Sequence, residues 1–137
     1  MSSAVQMREV TGDLTARRQC LAAAPNPAAH LDYVVVLSGS LPAPDGGAFE
    51  IAVHYVPDRT TLGADSFAAY LARLGAQGFA AAEEIGATVL ADFDSEIVPR
   101  YLRVSVAAIT PGAPRHEARF ESRQPGWTND GALARLA

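Results

Sequence analysis

Apolar and polar residues alternate over residues 48–56, AFEIAVHYV, so that Phe49, Ile51, Val53 and Tyr55 share one side of an extended chain and Glu50, Ala52, His54 and Val56 the other. A period of two predicts a strand with one face in a core and one face open to water. Upstream, residues 31–37 read LDYVVVL, a β-branched run suited to a buried strand, and residues 38–47, SGSLPAPDGG, are dense enough in Gly, Pro and Asp for the hairpin loop between the two. The period then lengthens. Phe67, Tyr70, Leu71 and Leu74 recur at helical spacing, with Asp65 or Ser66 placed to cap the start and Gly75 and Gly78 to end the run. A second helix is expected over residues 80–95, with Ile85, Val89 or Leu90, and Phe93 on one side and Glu83 and Glu84 in the first turns, where the helix dipole favours anions. Pro99 stops that pattern, and two more strands follow over residues 100–110 and 116–123, the last setting Ala118 and Phe120 against Glu117, Arg119, Glu121 and Arg123.

Strand, strand, helix, helix, strand, strand predicts an α+β fold: an antiparallel four-stranded sheet with both helices on one face. Exposed edges on such a sheet invite closure into an oligomeric barrel. Residues 1–24 carry no strong period beyond a short amphipathic turn with Leu14 and Leu21 around Arg17 and Arg18, and Pro25-Asn26-Pro27 punctuates the chain. Residues 1–24 are therefore read as an N-terminal extension and residues 25–137 as one domain.

Composition narrows the chemistry. With 137 residues, 49% of them hydrophobic, the chain fills one core and not two. A net charge of −4 argues against a nucleic-acid partner. All eleven basic residues are arginine, which removes Schiff-base chemistry and lysine-held phosphates. The lone Cys20 has no intrachain disulfide partner, and His30, His54, His116 and Cys20 match no metal-ligand spacing, so no metal is expected. The first 24 residues, interrupted by Arg8, Asp13, Arg17 and Arg18, lack the apolar stretch of a signal peptide, and no run approaches the roughly 20 residues that span a bilayer. A cytoplasmic protein without a membrane association is the expectation.

Four short stretches resemble one family. Pro25-Asn26-Pro27 with Asp32-Tyr33, then Tyr55-Val56-Pro57-Asp58, then residues 98–104 (VPRYLRV), and finally Thr110-Pro111 with Pro125-Gly126 follow in order and spacing the single-domain 7-cyano-7-deazaguanine reductases of the tunnelling-fold superfamily. The resemblance covers roughly residues 25–127 and implies the same ββααββ fold, assembled into a homo-oligomeric barrel with a small planar or polar molecule bound at subunit interfaces. The departures fall on the chemistry. The family's nitrile-attacking cysteine in the first hairpin loop has no counterpart, Ser40 being the nearest positional substitute, and Asp45 an unsafe match for the proton-donating aspartate. A serine hydroxyl is a far weaker nucleophile than a thiolate unless a base activates it. Where the family places nicotinamide-binding lysines after Y-V-P-D, this chain has Asp65 and Ala68, and an acid there repels phosphates. No cofactor is expected.

The resemblance further implies that Glu83 is the carboxylate that accepts paired N–H groups from a heterocycle edge, with Glu84 a competitor by one residue, and that the family's preceding histidine is replaced by Ala82. His54, on the polar side of its strand, is the best-placed general acid or base, with Arg103, Ser105, Arg119 and Arg123 expected on the same surface. Tyr55 and Tyr70 read as core or interface aromatics, and Tyr70, kept from the family pattern, joins Glu83, Glu84 and Arg103 as a candidate ligand contact. Trp127 either covers a neighbouring subunit or stacks on a ligand. Three functions stay open: a repurposed enzyme doing cofactor-independent cyclisation, dehydration or isomerisation; an NADPH-dependent nitrile reductase; and a non-catalytic binding or partner subunit.

Overall fold

The computed structural model of the chain describes residues 14–136. A turn of helix, α1 (residues 14–19), leads into β1 (Ala24–Pro25), β2 (Val35–Pro42), β3 (Ala48–Val56), β4 (Thr60–Thr61), α2 (Ala64–Ala76), α3 (Ala82–Glu96), β5 (Tyr101–Ile109), β6 (His116–Arg123) and α4 (Asp130–Ala134). The four long strands form one antiparallel sheet in the order β2-β3-β5-β6, and β1 pairs with β4 in a separate two-residue ribbon.

The alternation in β3 does what its period requires. Phe49, Ile51, Val53 and Tyr55 are buried beneath the helices, together with Leu102, Val104 and Val106 of β5. Helix α2 lays Phe67, Tyr70, Leu71 and Leu74 on β2, while Ile85, Val89 and Phe93 of α3 fill the space over β5 and β6. Phe93 is the aromatic hub, its ring 6.0–6.2 Å from those of Tyr55, Phe67 and Tyr70.

Local boundaries differ from expectation for identifiable reasons. Residues 38–42, expected in the loop, continue β2 because they keep pairing with residues 48–52, which shortens the turn to residues 43–47. Gly39 lies inside that strand, and a Cβ there would come within 2.4 Å of the Leu71 Cδ1, so the glycine is what lets α2 approach the sheet. Residues 31–34 are drawn out of the sheet instead, since the Leu31 carbonyl accepts from Arg100. Neither Asp65 nor Ser66 caps α2; the cap position is Gly63, and Asp65 stands in the first turn. Residues 14–24, assigned by sequence to an extension, pack on the domain: Leu21 is part of the core and Arg17 is buried against α3. The part of that extension before residue 14 lies outside the described residues. Among the described residues no helix is long and apolar enough to cross a membrane.

Candidate functional site

The sheet face away from α2 and α3 is where this chain gathers polar groups. Cross-strand register sets them in rows. One row runs Val36, His54, Arg103, Glu121; the next runs Ser38, Ala52, Ser105, Arg119; a third runs Ser40, Glu50, Ala107, Glu117. Rows two residues apart along a strand lie about 7 Å from one another. Over the second and third rows opens a cavity of about 340 Å³. Its floor is made of small side chains, Ser38, Ala52, Ser105 and Ala107, and its rim of Glu50, Glu117 and Arg115. A floor of that kind suits a flat ligand, and the volume falls in the range of small-molecule sites.

His54 and Arg103 sit at one end of this surface as direct cross-strand partners. His54 Nδ1 and Arg103 Nε are both buried and neither has a hydrogen-bond partner among the described residues. Unmade hydrogen bonds of buried groups cost about 1–3 kcal/mol each, so two side by side is not a neutral arrangement. Burial, and after it the positive charge of Arg103, holds the His54 imidazole below its ordinary pKa. It is neutral near pH 7, the form a general base needs. Arg103 Nη2 donates to the carbonyl of Leu136, at 2.6 Å, just past the end of α4. That short helix covers the adjoining end of the face, where Val56, Tyr101, Ala132 and Leu136 form a small second core with Trp127 against it. Tyr101 donates to Glu121, and burial together with that carboxylate pushes its phenol up to about 12.

The other sequence candidates lie elsewhere. Ser40 is on the same face but four residues along from the His54 row, roughly 13 Å away. Its cross-strand neighbour is Glu50, which Arg115 engages, so no imidazole is positioned to activate it. Glu83 stands in the first turn of α3, in the helical layer, exposed and bonded to His116 Nε2 of β6; that bond holds the carboxyl below its usual range. Glu84 is exposed in the same turn. Tyr70 is fully buried and its hydroxyl donates to Asp92, so its side chain is committed to the interior. One chain thus brings His54 and Arg103 together and leaves Glu83, Glu84, Ser40 and Tyr70 apart from them. Trp127 is occupied within its own chain, its indole N–H on Asp32 and its ring 5.6 Å from that of Tyr101.

Apart from Thr110-Pro111, which sits by the β2–β3 turn at the far end of β5, the motif residues behind the family resemblance gather at one end of the fold. Arg100 donates to Asp32, at 3.0 Å, and to the carbonyls of Leu31 and Ala29, and pairs with Asp58 at 3.2 Å. Asn26 bonds the Asp58 carbonyl and accepts from Tyr33, while Gln124 reaches the other Asp58 oxygen. The Asn129 amide, then Arg100 and Trp127, keep the Asp32 carboxyl below its usual range against the effect of burial. With their oxygens spoken for by chain groups, Asp32 and Asp58 fasten loops together.

Sequence reasoning missed a buried charge cluster. Asp92 on α3 is fully enclosed and takes hydrogen bonds from Arg17, Arg18 and Tyr70. The signal was present: residues 85, 89, 92 and 93 form one helical stripe, and an aspartate on an apolar stripe requires a partner. Cys20 lies on the helical side of the sheet, its thiol against the Ala16 carbonyl, and supplies no nucleophile to the open face. Among the described residues no three His, Cys, Asp or Glu side chains come together as a metal site would require.

Comparison with known proteins points to the fold. No protein-family model matches the chain, and no curated protein matches its sequence. Among solved structures, the crystal structure of the archaeosine synthase QueF-Like in the apo form superposes with a TM-score of 0.51 at 22% identity, over 65% of this chain and 90% of that one. The likeness is one of fold. The chain shares that structure's fold, and here it is a mixed α+β unit whose antiparallel sheet carries its two long helices on one side.

Proposed function

We propose that the protein is an enzyme that binds a small planar or polar molecule on the open face of its sheet and performs acid–base chemistry there without a nicotinamide cofactor: a cyclisation, dehydration or isomerisation. The observation that carries the reading is the pair of unpartnered buried atoms, His54 Nδ1 and Arg103 Nε, beside a flat-floored cavity. His54 is the proton-transferring residue, neutral because it is desolvated and faces a guanidinium. Arg103 fixes the ligand. Glu83, in the helical layer beside edge strand β6, reaches a ligand only at a boundary with another copy of the chain, so its role as an anchor goes with a homo-oligomer. The nitrile-reductase alternative finds less support, since thiolate attack needs a cysteine near the ligand and Cys20 lies across the sheet from the open face.

The test is native mass spectrometry of the purified protein to identify a bound small molecule, followed by turnover of that molecule by wild type, H54A and E83A without added cofactor. Loss of at least about a hundredfold in kcat for H54A is expected of a general acid–base residue. Unchanged turnover in both variants would sink the mechanism, and turnover only with NADPH would restore the reductase.

A further inference from the structure

The guanidinium of Arg103 rises from the polar side of β5, and its Nε/Nη2 edge is enclosed beside the end of α4. The same edge of Arg17 shows what this chain does with such a group when it is fully satisfied: Nε and Nη2 of Arg17 each take one oxygen of the Asp92 carboxylate. Two parallel N–H bonds to two oxygens of one carboxylate is the geometry a guanidinium edge matches best. At Arg103 only half of the pattern is filled. Nη2 is on a single neutral oxygen, the carbonyl of Leu136, and Nε has no partner. The buried Arg17 and the partly buried Arg18 and Arg100 each pair with an aspartate, whereas Arg103 pairs with no carboxylate among the described residues. Its cross-strand neighbour Glu121 gives one oxygen to Tyr101 and the other to Arg123.

We propose that the Nε/Nη2 edge of Arg103 is the carboxylate-binding subsite of the ligand, which is therefore a small planar carboxylic acid rather than a neutral heterocycle. The carboxylate displaces the Leu136 carbonyl from Nη2, adds the missing partner to Nε, and brings its second face to His54 Nδ1. Ala52 and Ser105 lie two residues along β3 and β5, about 7 Å on, so the ring of such an acid extends onto the floor of the 340 Å³ cavity. The inference rests on the open face being the ligand site, and it names what that site selects.

The probes are benzoate and its neutral isostere benzamide, added at millimolar concentration to the full chain with arginine side chains labelled by ¹⁵N. The Arg103 Nε–H resonance in wild type should move with benzoate and stay fixed with benzamide. Binding of benzoate, read by calorimetry, should weaken at least tenfold in R103Q and be retained in R73Q, which removes an exposed charge from α2 on the other side of the sheet. Equal responses to benzoate and benzamide, a stationary Arg103 resonance, or equal weakening in R73Q would overturn the assignment. The resonance experiment uses wild type, so it decides the matter even if R103Q folds poorly. A site that takes benzamide as well as benzoate, with His54-dependent turnover of a neutral ligand, would refute the subsite and leave the acid–base reading standing; carboxylate binding with turnover indifferent to His54 would do the reverse.

Discussion

A carboxylate with no exposed surface is stable in a core only if its charge and its lone pairs are both answered. Asp92 receives Arg17 on both oxygens, Arg18 at 2.8 Å and the Tyr70 hydroxyl. Burial pushes the Asp92 carboxyl up, but the bonds from Arg17, Tyr70 and Arg18 outweigh it and leave it below the ordinary carboxylate range. Burial and the neighbouring carboxylate push the Tyr70 phenol far up, so it remains a donor at any working pH. The sign for stability follows. A depressed pKa in the folded state contributes stability that is present above the unfolded carboxyl's pKa and fades as pH falls through the folded one. D92N should cost about 3–5 kcal/mol at neutral pH, because it strands Arg17 in the core. The gap between wild type and D92N in urea melts should close as pH drops below the usual carboxylate range; a gap constant with pH would mean that the charge contributes nothing. Much of this was legible, since the stripe of residues 85, 89, 92 and 93 shows an acid among apolar side chains. Its partners were not, because Arg17 is 75 residues away in the chain and no local period connects the two.

Elements reveal themselves in sequence when their own period is strong and fade when tertiary packing makes them. Strand β3 and helices α2 and α3 follow their periodicity nearly to the residue, whereas α1, α4 and the β1–β4 ribbon are short segments whose conformation depends on what they lie against. The polar side of β3 was readable, and with it His54, but its buried, unpartnered state depends on its neighbours across the sheet and on α4 closing that end. The same distinction governs glycines. In the β2–β3 turn, Asp45 accepts from the Gly47 amide and from Thr110, and a Cβ on Gly47 would stand 2.2 Å from the Ile109 carbonyl oxygen. That obstacle is backbone of a paired strand and cannot rotate away, unlike the Leu71 methyl that faces Gly39. G47A should therefore lower stability by about 1–3 kcal/mol, the usual cost of overpacking. A denaturation midpoint within error of wild type would show that the turn slides freely.

At the scale of the whole molecule, the four-stranded sheet ends in two strands with no outer partner among the described residues, β2 at one edge and β6 at the other. Free edges recruit further strands unless charges, bends or covering elements prevent it. Strand β6 carries Glu117, Arg119, Glu121 and Arg123 toward the open face, internally paired by Arg119 on Glu117 and Arg123 on Glu121. Strand β2 carries no charge at all, and its Val36 is 55% exposed beside His54. An uncharged edge with an exposed β-branched side chain leads to the expectation that copies join edge to edge, β2 of one against β6 of the next, and close into a ring that shelters the polar face. The assembled wild type should then sediment as a discrete multiple of the chain mass. V36D should dissociate it while leaving the circular-dichroism spectrum of the chain unchanged, because the aspartate replaces a largely exposed side chain and would have to be desolvated at the joint. Turnover should fall with dissociation if Glu83 acts across that boundary. A wild type that sediments as a monomer, or a V36D ring as stable as the parent, would remove both the shared site and the reason for Glu83 to belong to it.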